Sequence, residues 1–472
     1  MRFVILGGGP AGYAAASAAT AIGAHVTLVE DVGLGGNATL WDAIPSKTLL
    51  STAGVRATVV RAEALGLAFQ HGTPEVDLLR TVANARYVAA HQSRSIRDRL
   101  EGTATHLVSG HARITAPGTL LVTGATGERE VPYDRLVLAT GAAPWEPPFA
   151  KVDHARVFTP RDVLKLRHMP EHLVVVGAGA TGCEYAEFFL SCGVRVTLLS
   201  ARPQVLPAED RDIAEIVEEA FLARGCELQF DARVADVEHR EDGVSVTTAD
   251  GRCFDGSHAV VCMGMRPASA GLGLDVLGIA TDDRGAVLVD GNGLTSAEGV
   301  YAVGDLAGGM MLASTASMQG RHAALHALGA STTALDLTTV PWTIFTRPEV
   351  ASVGLTAGEA DRRGADVAIT KHYLGANPRG VISGNNEGMI KLVTAASDGV
   401  LLGASIVGYR ASEMIATLAL GVRAQLPVET IADTGTVTPS MSESLQRAAE
   451  KAATARLTRT ADPALAAADV VE

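Results

Sequence analysis

Three glycines near the amino terminus stand where a backbone would approach a phosphate closely. Gly7, Gly9 and Gly12 follow the apolar stretch "RFVIL", and an alanine-rich segment leads on to "AHVTLVE", which ends at Glu30. This order predicts a strand, a tight turn, a helix and a second strand, with an acid placed to meet a ribose hydroxyl. Because a helix amino terminus favours negative charge, the chemistry indicated is dinucleotide binding.

The same device recurs in "HLVVVGAGATGCEYAEFFLSCGVRVTLLS", where Gly177, Gly179 and Gly182 form the turn. Its second strand leads to Ser200 instead of an acid, and Arg202 follows closely. A carboxylate there would repel a 2′-phosphate, whereas a serine with a nearby arginine accommodates one. NADPH is therefore the expected nucleotide, with NADH as the second possibility. The alternative is that Arg202 simply points to solvent.

Two dinucleotide sites in one chain predict electron transfer between two cofactors. The alternative is a duplicated domain in which one of the two sites no longer binds. The glycines of both turns are complete, and this favours two working sites.

These turns require a domain order that the rest of the chain supplies. Residues 1–150 and 271–335 are expected to form the first dinucleotide domain and 151–270 the second. Residues 336–472 read as a separate module, with strands such as "MIKLVT" and "LLGASIVG". The last stretch, from residue 453 onward, is rich in alanine and contains a proline, so a frayed tail is expected.

Composition excludes several classes of function. The chain has 472 residues, 47% hydrophobic residues and a formal net charge of −13, which argues against binding to a nucleic acid backbone. No apolar run reaches the roughly 18 residues that a membrane span needs. The start, "MRFVILGGGPAG", reads as a buried strand and not as a signal peptide. A cytoplasmic location is expected, with peripheral membrane contact left open.

The cysteines show neither metal-ligand nor redox spacing. The chain has five and no Cys-x-x-Cys pair, so reduced, mostly buried thiols and no metal site are expected. They are Cys183, Cys192, Cys226, Cys253 and Cys262.

With both glycine turns and several further motifs, the sequence resembles the pyridine nucleotide–disulfide oxidoreductases, the flavoprotein family of lipoamide dehydrogenase, glutathione reductase and soluble transhydrogenase. The motifs occur in the family's order: "LATGAAP", "MGMRP", "VYAVGDLAGGMMLA", "VPWTIFTRPEVASVGLT", "LLGASIVGYRASEMI" and "TPSMSE". The resemblance implies an α/β fold with two Rossmann-like domains, which bind FAD and NAD(P)H, and a carboxy-terminal α+β dimerisation domain. A homodimer is therefore expected.

The resemblance also implies the residues of both cofactor sites. For FAD they are Gly7, Gly9, Pro10, Ala11, Gly12, Glu30, Gly36, Asn37, Lys47, His111, Ala112, Thr140, Gly141, Gly304 and Asp305. For the nicotinamide nucleotide they are Gly177, Gly179, Ala180, Gly182, Glu184, Ser200, Arg202 and Gly264.

Lys47 of "IPSK" matches the lysine beside flavin N5, and Glu184 matches the glutamate that pairs with it. A fixed positive charge beside N5 favours hydride acceptance, and the carboxylate holds the ammonium group in place. The alternatives are a surface lysine and a solvated acid in the first helical turn. The chain has only six lysines, and this one completes the motif.

The motif lacks its sulfur. The family pattern GG-x-C-x-x-x-x-C-I-P-S-K has two cysteines, and Ala38 and Ala43 occupy their positions here. Alanine cannot exchange with a disulfide, so reduction of lipoamide, glutathione or thioredoxin is excluded. The family's acid–base histidine is also replaced, by Thr438, although Glu443 remains. Threonine does not titrate near neutral pH.

The chemistry left to the chain is hydride transfer from NAD(P)H to FAD and then transfer of two electrons to another acceptor. A quinone fits the volume that the disulfide would fill, beside Leu40 and Trp41. Trp41, Thr438 and Glu443 are the candidate substrate residues; for Trp41 the alternative is core packing, and for Glu443 it is orienting its loop.

Two other functions stay open. A soluble transhydrogenase is one, because Thr39 follows the first cysteine position as it does in that branch. A flavoprotein scaffold or redox sensor that turns over slowly is the other. The leading prediction is an FAD-dependent NAD(P)H:quinone oxidoreductase without disulfide reductase activity.

Overall fold

The computed structural model describes residues 1–62, 66–67, 72, 74–331 and 333–461. The chain forms two compact units, each built from separate stretches of sequence. Unit 1 comprises Met1–Thr52, Val76–Met169 and Met263–Leu337, and unit 2 comprises Ala53–Glu75, Pro170–Cys262 and Thr338–Glu472.

Unit 1 is built on a parallel sheet of five strands. Their order is Val300–Ala302, Arg135–Leu138, Phe3–Leu6, Val26–Glu30 and Thr105–Ser109. The central strand, "FVIL", is buried at every position, as expected for a strand covered on both faces. The helices are Pro10–Ala21, Gly36–Leu40, Leu78–Glu101 and Ala313–Ala327, and Ala43–Val60 begins in this unit.

Two smaller sheets complete unit 1. An antiparallel sheet joins His111–Ala116, Thr119–Gly124 and Gly127–Pro132. The short strand Ala142–Pro144 pairs antiparallel with Met265–Pro267.

Unit 2 repeats the nucleotide-binding arrangement in residues 170–262. Four parallel strands lie in the order Glu227–Gln229, Arg195–Leu199, His172–Val176 and His258–Val261. The helices are Ala180–Ser191 and Arg211–Leu222. An antiparallel sheet of Val234–Arg240, Gly243–Thr248 and Cys253–Gly256 accompanies them.

The carboxy-terminal part of unit 2 is an antiparallel sheet with helices. The strand order is Trp342–Ile344, Glu349–Gly354, Leu401–Gly408, Gly388–Ala395 and Val367–Tyr373. The helices are Ala357–Arg362, Pro378–Ser383, Ala411–Arg423, Val428–Ala432 and Glu443–Ala461. Lys391, with 4% of its side chain exposed, pairs with Asp210 at 2.8 Å and Asp212 at 2.5 Å. This ion-pair cluster joins the sheet to the nucleotide-binding part of the same unit.

The predicted fold class is confirmed: two Rossmann-like sheets and an α+β carboxy-terminal domain are present. The expectation of a frayed tail from residue 453 is wrong up to residue 461, because the last helix continues through Ala461. Ala448, Ala449 and Ala452 are buried on that helix, so packing holds it in place. Residues 462–472 lie outside the described part of the chain. Within the described part of the chain, no helix is both long enough and apolar enough to cross a bilayer.

Candidate active site

The first glycine turn brings the amino terminus of helix Pro10–Ala21 against the end of the first strand. Gly7 has a φ of +105°, and a Cβ added there would lie 2.3 Å from the Ala139 carbonyl oxygen. A Cβ on Gly12 would lie 1.8 Å from the Gly7 carbonyl oxygen. Only glycine fits either position, and Pro10 at the start of the helix has no N–H that needs a partner. The turn therefore leaves a helix amino terminus open to an anion.

Glu30 closes onto this turn from the end of the second strand. One carboxylate oxygen accepts a hydrogen bond from Gly8 N at 2.6 Å, and the other accepts from Val32 N at 2.7 Å and Gly33 N at 3.0 Å. A pocket of about 130 Å³ opens beside it. Arg97 and Ser109 line the pocket together with Glu30. The pocket therefore adjoins the carboxylate that the sequence places at a ribose hydroxyl.

Several other residues expected at FAD lie around this turn. A Cβ on Gly36 would lie 2.7 Å from Gly9 Cα, and the Asn37 amide donates to the Ala142 carbonyl oxygen. The Thr140 hydroxyl donates to the Ala268 carbonyl oxygen at 3.0 Å, which fixes the backbone before Gly141. His111 is exposed and lies 3.2 Å from the carboxylate of Asp31, while Ala112 and Ala11 are buried.

Asp305 lies in a short helix that follows the strand Val300–Ala302. Burial raises the pKa of its carboxyl, the negative charge of Asp42 raises it further, and Arg161 opposes the shift. Gly304, with a φ of +68°, donates its N–H to the Gln319 side chain at 2.8 Å. The carboxyl thus lies in unit 1 among two charged residues that the sequence did not indicate.

Those two residues, Asp42 and Arg161, form a pair within unit 1. Arg161 Nε is 3.5 Å from Asp42 Oδ1, and Arg161 Nη2 donates to the Ala142 carbonyl oxygen at 3.1 Å. Arg161 Nε is buried and has no hydrogen-bond partner. Burial raises the pKa of Asp42, although the charges of Arg161 and Lys47 lower it. A charged residue directly before Ala43 was the available sequence signal, but its partner is remote in sequence.

The second glycine turn in unit 2 has nearly the same backbone as the first. Gly177 has a φ of +106°, and a Cβ on Gly182 would lie 1.8 Å from the Gly177 carbonyl oxygen. Gly179 and Ala180 begin the helix Ala180–Ser191, and no atom lies within 4 Å of a Cβ added to Gly179. The turn therefore leaves room beside this helix amino terminus as well.

The strand after the second turn ends differently from its counterpart. Ser200 is buried, and its hydroxyl donates to the Gln204 carbonyl oxygen at 2.8 Å and accepts from Arg202 N at 3.2 Å. The Arg202 side chain is exposed. Gly264, expected at the nucleotide, belongs to unit 1, where its carbonyl oxygen accepts from Trp145 N at 2.9 Å.

The expected catalytic pair is divided between the two units. Lys47 lies half-buried in unit 1, on the helix Ala43–Val60. Glu184 lies in unit 2, is 6% exposed, and its carboxylate accepts from Phe345 N at 3.0 Å. Their pairing stays a prediction.

The motif without sulfur lies wholly in unit 1. Ala38 is on the helix Gly36–Leu40, Ala43 begins the next helix, and Trp41 between them is 37% exposed. All five cysteines are free and all belong to unit 2. Burial raises the pKa of the Cys192 and Cys226 thiols to about 12, and it also raises the pKa of the Cys183 and Cys262 thiols.

The carboxylate of Glu443 holds the loop that carries Thr438. The Thr438 hydroxyl donates to Glu443 at 2.8 Å, and Ser440 N donates to the same carboxylate at 2.9 Å. The backbone hydrogen bond from Ser440 and the hydroxyl bond lower the pKa of Glu443. Glu443 therefore holds the preceding loop against the start of the helix Glu443–Ala461.

Comparison with known proteins agrees with this architecture. The family described as pyridine nucleotide-disulphide oxidoreductase matches residues 1–320, and the dimerisation domain of the same family matches residues 340–449. The chain belongs to this family. As a member of the pyridine nucleotide-disulphide oxidoreductases it is an oxidoreductase, a flavoprotein that uses FAD and NAD(P)H, and it carries the family's dimerisation domain.

Its relatives within the family carry different names. A Mycobacterium tuberculosis protein named NAD(P)H dehydrogenase (quinone) is 37% identical over 462 residues, covering 95% of this chain and 93% of that protein. A dihydrolipoyl dehydrogenase from Zymomonas mobilis is 35% identical over 449 residues, covering 94% and 96%. The crystal structure of LpdA from M. tuberculosis matches with a TM-score of 0.90 at 38% identity, covering 95% of this chain and 99% of that one.

The residues present fit both family cofactors. At the first turn, Gly7, Gly9 and Gly12 place no side chain in front of the helix amino terminus, and Glu30 and a pocket lie beside the turn. At the second turn, the equivalent glycines leave the helix amino terminus equally open. Among the described residues, no group of three or more His, Cys, Asp or Glu side chains could hold a metal ion.

Proposed function

We propose that this protein is an FAD-dependent NAD(P)H:quinone oxidoreductase without disulfide reductase activity. The observation that carries the proposal is that residues 38 and 43, the two cysteine positions of the family's redox motif, are both alanine. The five cysteines of the chain lie far from this motif in the sequence, between residues 183 and 262. A dithiol relay needs two sulfur atoms beside the flavin, so electrons have to pass directly to the acceptor. The name of the 37% identical relative, NAD(P)H dehydrogenase (quinone), supports this acceptor.

The chain's own residues have separate roles in this proposal. Glu30 and the first glycine turn bind the adenosine half of FAD, and Asp305 binds its ribityl chain. FAD, when bound, supplies hydride acceptance from NAD(P)H and two-electron donation to the acceptor. Lys47 provides positive charge beside the reacting ring, and Glu184 orients the ammonium group.

The acceptor and nucleotide are also part of the proposal. The exposed indole of Trp41 offers a flat surface on which a quinone stacks. NADPH is the preferred nucleotide, because Arg202 is exposed and Ser200 adds no charge. The match to the dimerisation domain supports a homodimer, in which the loop of Thr438 and Glu443 closes the partner's site. A cytoplasmic location stays a prediction.

Anaerobic titration with NADPH tests the proposal. The wild-type protein should take up about two electrons per subunit, all on the flavin. The double variant Ala38→Cys/Ala43→Cys provides the matched control, because a restored disulfide should raise uptake to about four electrons. Uptake of four electrons by the wild-type protein would contradict the proposal.

Steady-state assays then separate the acceptors. Menadione reduction should exceed that of lipoamide and glutathione disulfide by at least about a hundredfold, because only the latter two need a thiol. Faster transfer from NADPH to a thio-analogue of NAD⁺ than to menadione would indicate a transhydrogenase instead. A menadione rate equal to that of free flavin would indicate a scaffold.

A further inference from the structure

The proposed function assigns neither hydride transfer nor cofactor binding to the pair of Asp42 and Arg161. Asp42 directly precedes Ala43, one of the two positions from which the family's sulfur is missing, and directly follows Trp41. Its side chain is 33% exposed, so water reaches it. The charged groups that act on it are Arg161, Lys47 and Asp305, which come from three different elements of unit 1.

Arg161 is held in position by its surroundings and not only by Asp42. Its Nη2 donates to the Ala142 carbonyl oxygen, which also accepts from Asn37. The next residue, Asp162, is 2% exposed and accepts from Thr159, His154 and Lys165. This carboxylate fixes the helical turn Pro160–Lys165 and therefore the backbone of Arg161. The buried Nε of the guanidinium makes no hydrogen bond and lies 3.5 Å from Asp42 Oδ1, within ion-pair distance.

Quinone reduction consumes protons, and this chain lacks the thiol and the histidine that handle protons in the family. Conversion to a hydroquinone adds two electrons and two protons; NAD(P)H contributes both electrons and one proton as a hydride and becomes NAD(P)⁺. The remaining proton comes from water or from an acid near the acceptor, and a positioned acid accelerates its transfer. Neither a thiol nor a histidine stands at the family's positions, which are Ala38, Ala43 and Thr438 here.

We propose that Asp42 is the acid that gives this proton to the quinone oxygen, and that Arg161 sets the charge around it. The carboxyl O–H bond breaks as an O–H bond forms on the quinone. The resulting carboxylate is paired with Arg161 and regains a proton from water. This inference rests on the proposed quinone reductase function and names its proton donor.

Burial and the two neighbouring cations act on Asp42 in opposite directions, and the net effect raises its pKa above the ordinary value. Asp42 therefore keeps its proton to a higher pH than an exposed aspartate does. Reduction of the quinone should slow as the pH rises through this value, because the proton is then lost.

The test uses the FAD-loaded protein in two measurements. In stopped flow, enzyme reduced with NADPH is mixed with menadione at a series of pH values. Wild-type oxidation should slow with rising pH, while Asp42→Asn should be about a hundredfold slower at low pH and nearly independent of pH. Separately, the visible spectrum of the oxidised enzyme is titrated, and the step caused by Asp42 ionisation should be absent in Asp42→Asn.

Two further variants make the result specific. Asp255→Asn removes an exposed carboxylate that pairs with Arg240 at 3.9 Å, and it should keep the wild-type pH profile and spectral step. Arg161→Met leaves Asp42 in place but removes a positive charge, so the step should move to higher pH. This variant decides the question if Asp42→Asn fails to bind FAD.

An Asp42→Asn enzyme with wild-type rates and spectral step would overturn the inference alone and leave the proposed function intact. A step that stays in place or moves to lower pH in Arg161→Met would overturn it as well. Failure of the wild-type enzyme to reduce menadione would overturn the proposed function, and the inference with it.

Discussion

The two glycine turns share a backbone and differ in the residue at the end of the next strand. The φ angles of Gly7 and Gly177 agree within a degree, and the third glycine of each turn faces a carbonyl oxygen at 1.8 Å from where a Cβ would stand. The second strands then end in Glu30, which bonds back to the first turn, and in Ser200, which bonds forward to Gln204. We therefore expect the glycines to create the anion site and the residue at the strand end to select the nucleotide.

The largest expected effect comes from substitutions that disrupt one glycine turn at a time. Gly12→Ala and Gly182→Ala both force a methyl group into a carbonyl oxygen, at a cost of about 3 kcal/mol. Gly12→Ala should purify without bound FAD. Gly182→Ala should keep its yellow colour but lose reduction by NADPH.

Flavin absorbance and stopped-flow reduction measure these two losses. Gly375→Ala is the control, since no atom lies within 4 Å of a Cβ there, and its unfolding midpoint should stay close to that of the wild type. A Gly182→Ala protein that lost FAD and kept nucleotide binding would reverse the assignment of the turns.

The next largest effect is expected at Glu30, which ends the strand that follows the first glycine turn. Glu30→Ala leaves Gly8, Val32 and Gly33 without their acceptor, so FAD binding should weaken about a hundredfold, or about 3 kcal/mol. Fluorescence of released flavin on dilution measures the dissociation constant. Glu241→Ala removes an exposed acid and should leave the dissociation constant for FAD unchanged. An equal weakening of FAD binding in this variant would indicate that only the net charge of the protein matters.

A smaller effect is expected at the corresponding end of the second copy. Arg202→Ala should raise the KM for NADPH about tenfold and leave the KM for NADH nearly unchanged, because only NADPH carries a 2′-phosphate. Initial rates with menadione give both constants. Equal changes for the two nucleotides would show that Arg202 does not contact the phosphate.

The smallest effect should appear at low pH, at His172 in the strand that leads into the second glycine turn. Burial, reinforced by the charge of Arg195, lowers the pKa of His172, which is hydrogen-bonded to Thr197 in the adjacent strand. Neutral His172 therefore stabilises the folded state fully when the pH is above the unfolded-state pKa of about 6.5. This stabilisation is lost as the pH falls below that value toward the lower pKa of the folded state.

Hydrogen exchange measures this difference between the copies. At mildly acidic pH the strand His172–Val176 should exchange faster than at neutral pH, while Phe3–Leu6 should not change. His172→Gln should abolish the contrast. Equal acceleration of both strands would indicate global unfolding instead.

The sequence predicted most reliably the features that local geometry determines. Glycine patterns and apolar strands follow from backbone sterics, so both turns and the fold class could be derived. The continuation of the last helix over residues 453–461 was missed, because the burial of Ala453 and the pairing of Arg456 with Glu429 are tertiary properties. Asp42 and Arg161 were missed for the same reason, since no periodic pattern links two residues so far apart in the chain.

The buried thiols have a practical consequence for handling and for survival of the enzyme. Nucleophilic attack by cysteine requires the thiolate, and a pKa near 12 at Cys192 and Cys226 leaves almost none at neutral pH. With alanine at positions 38 and 43, the family's redox motif contains no cysteine in this chain. Peroxide or hypochlorous acid at doses that inactivate thiol-dependent relatives should therefore leave turnover largely intact. The enzyme should thus stay active under oxidising conditions.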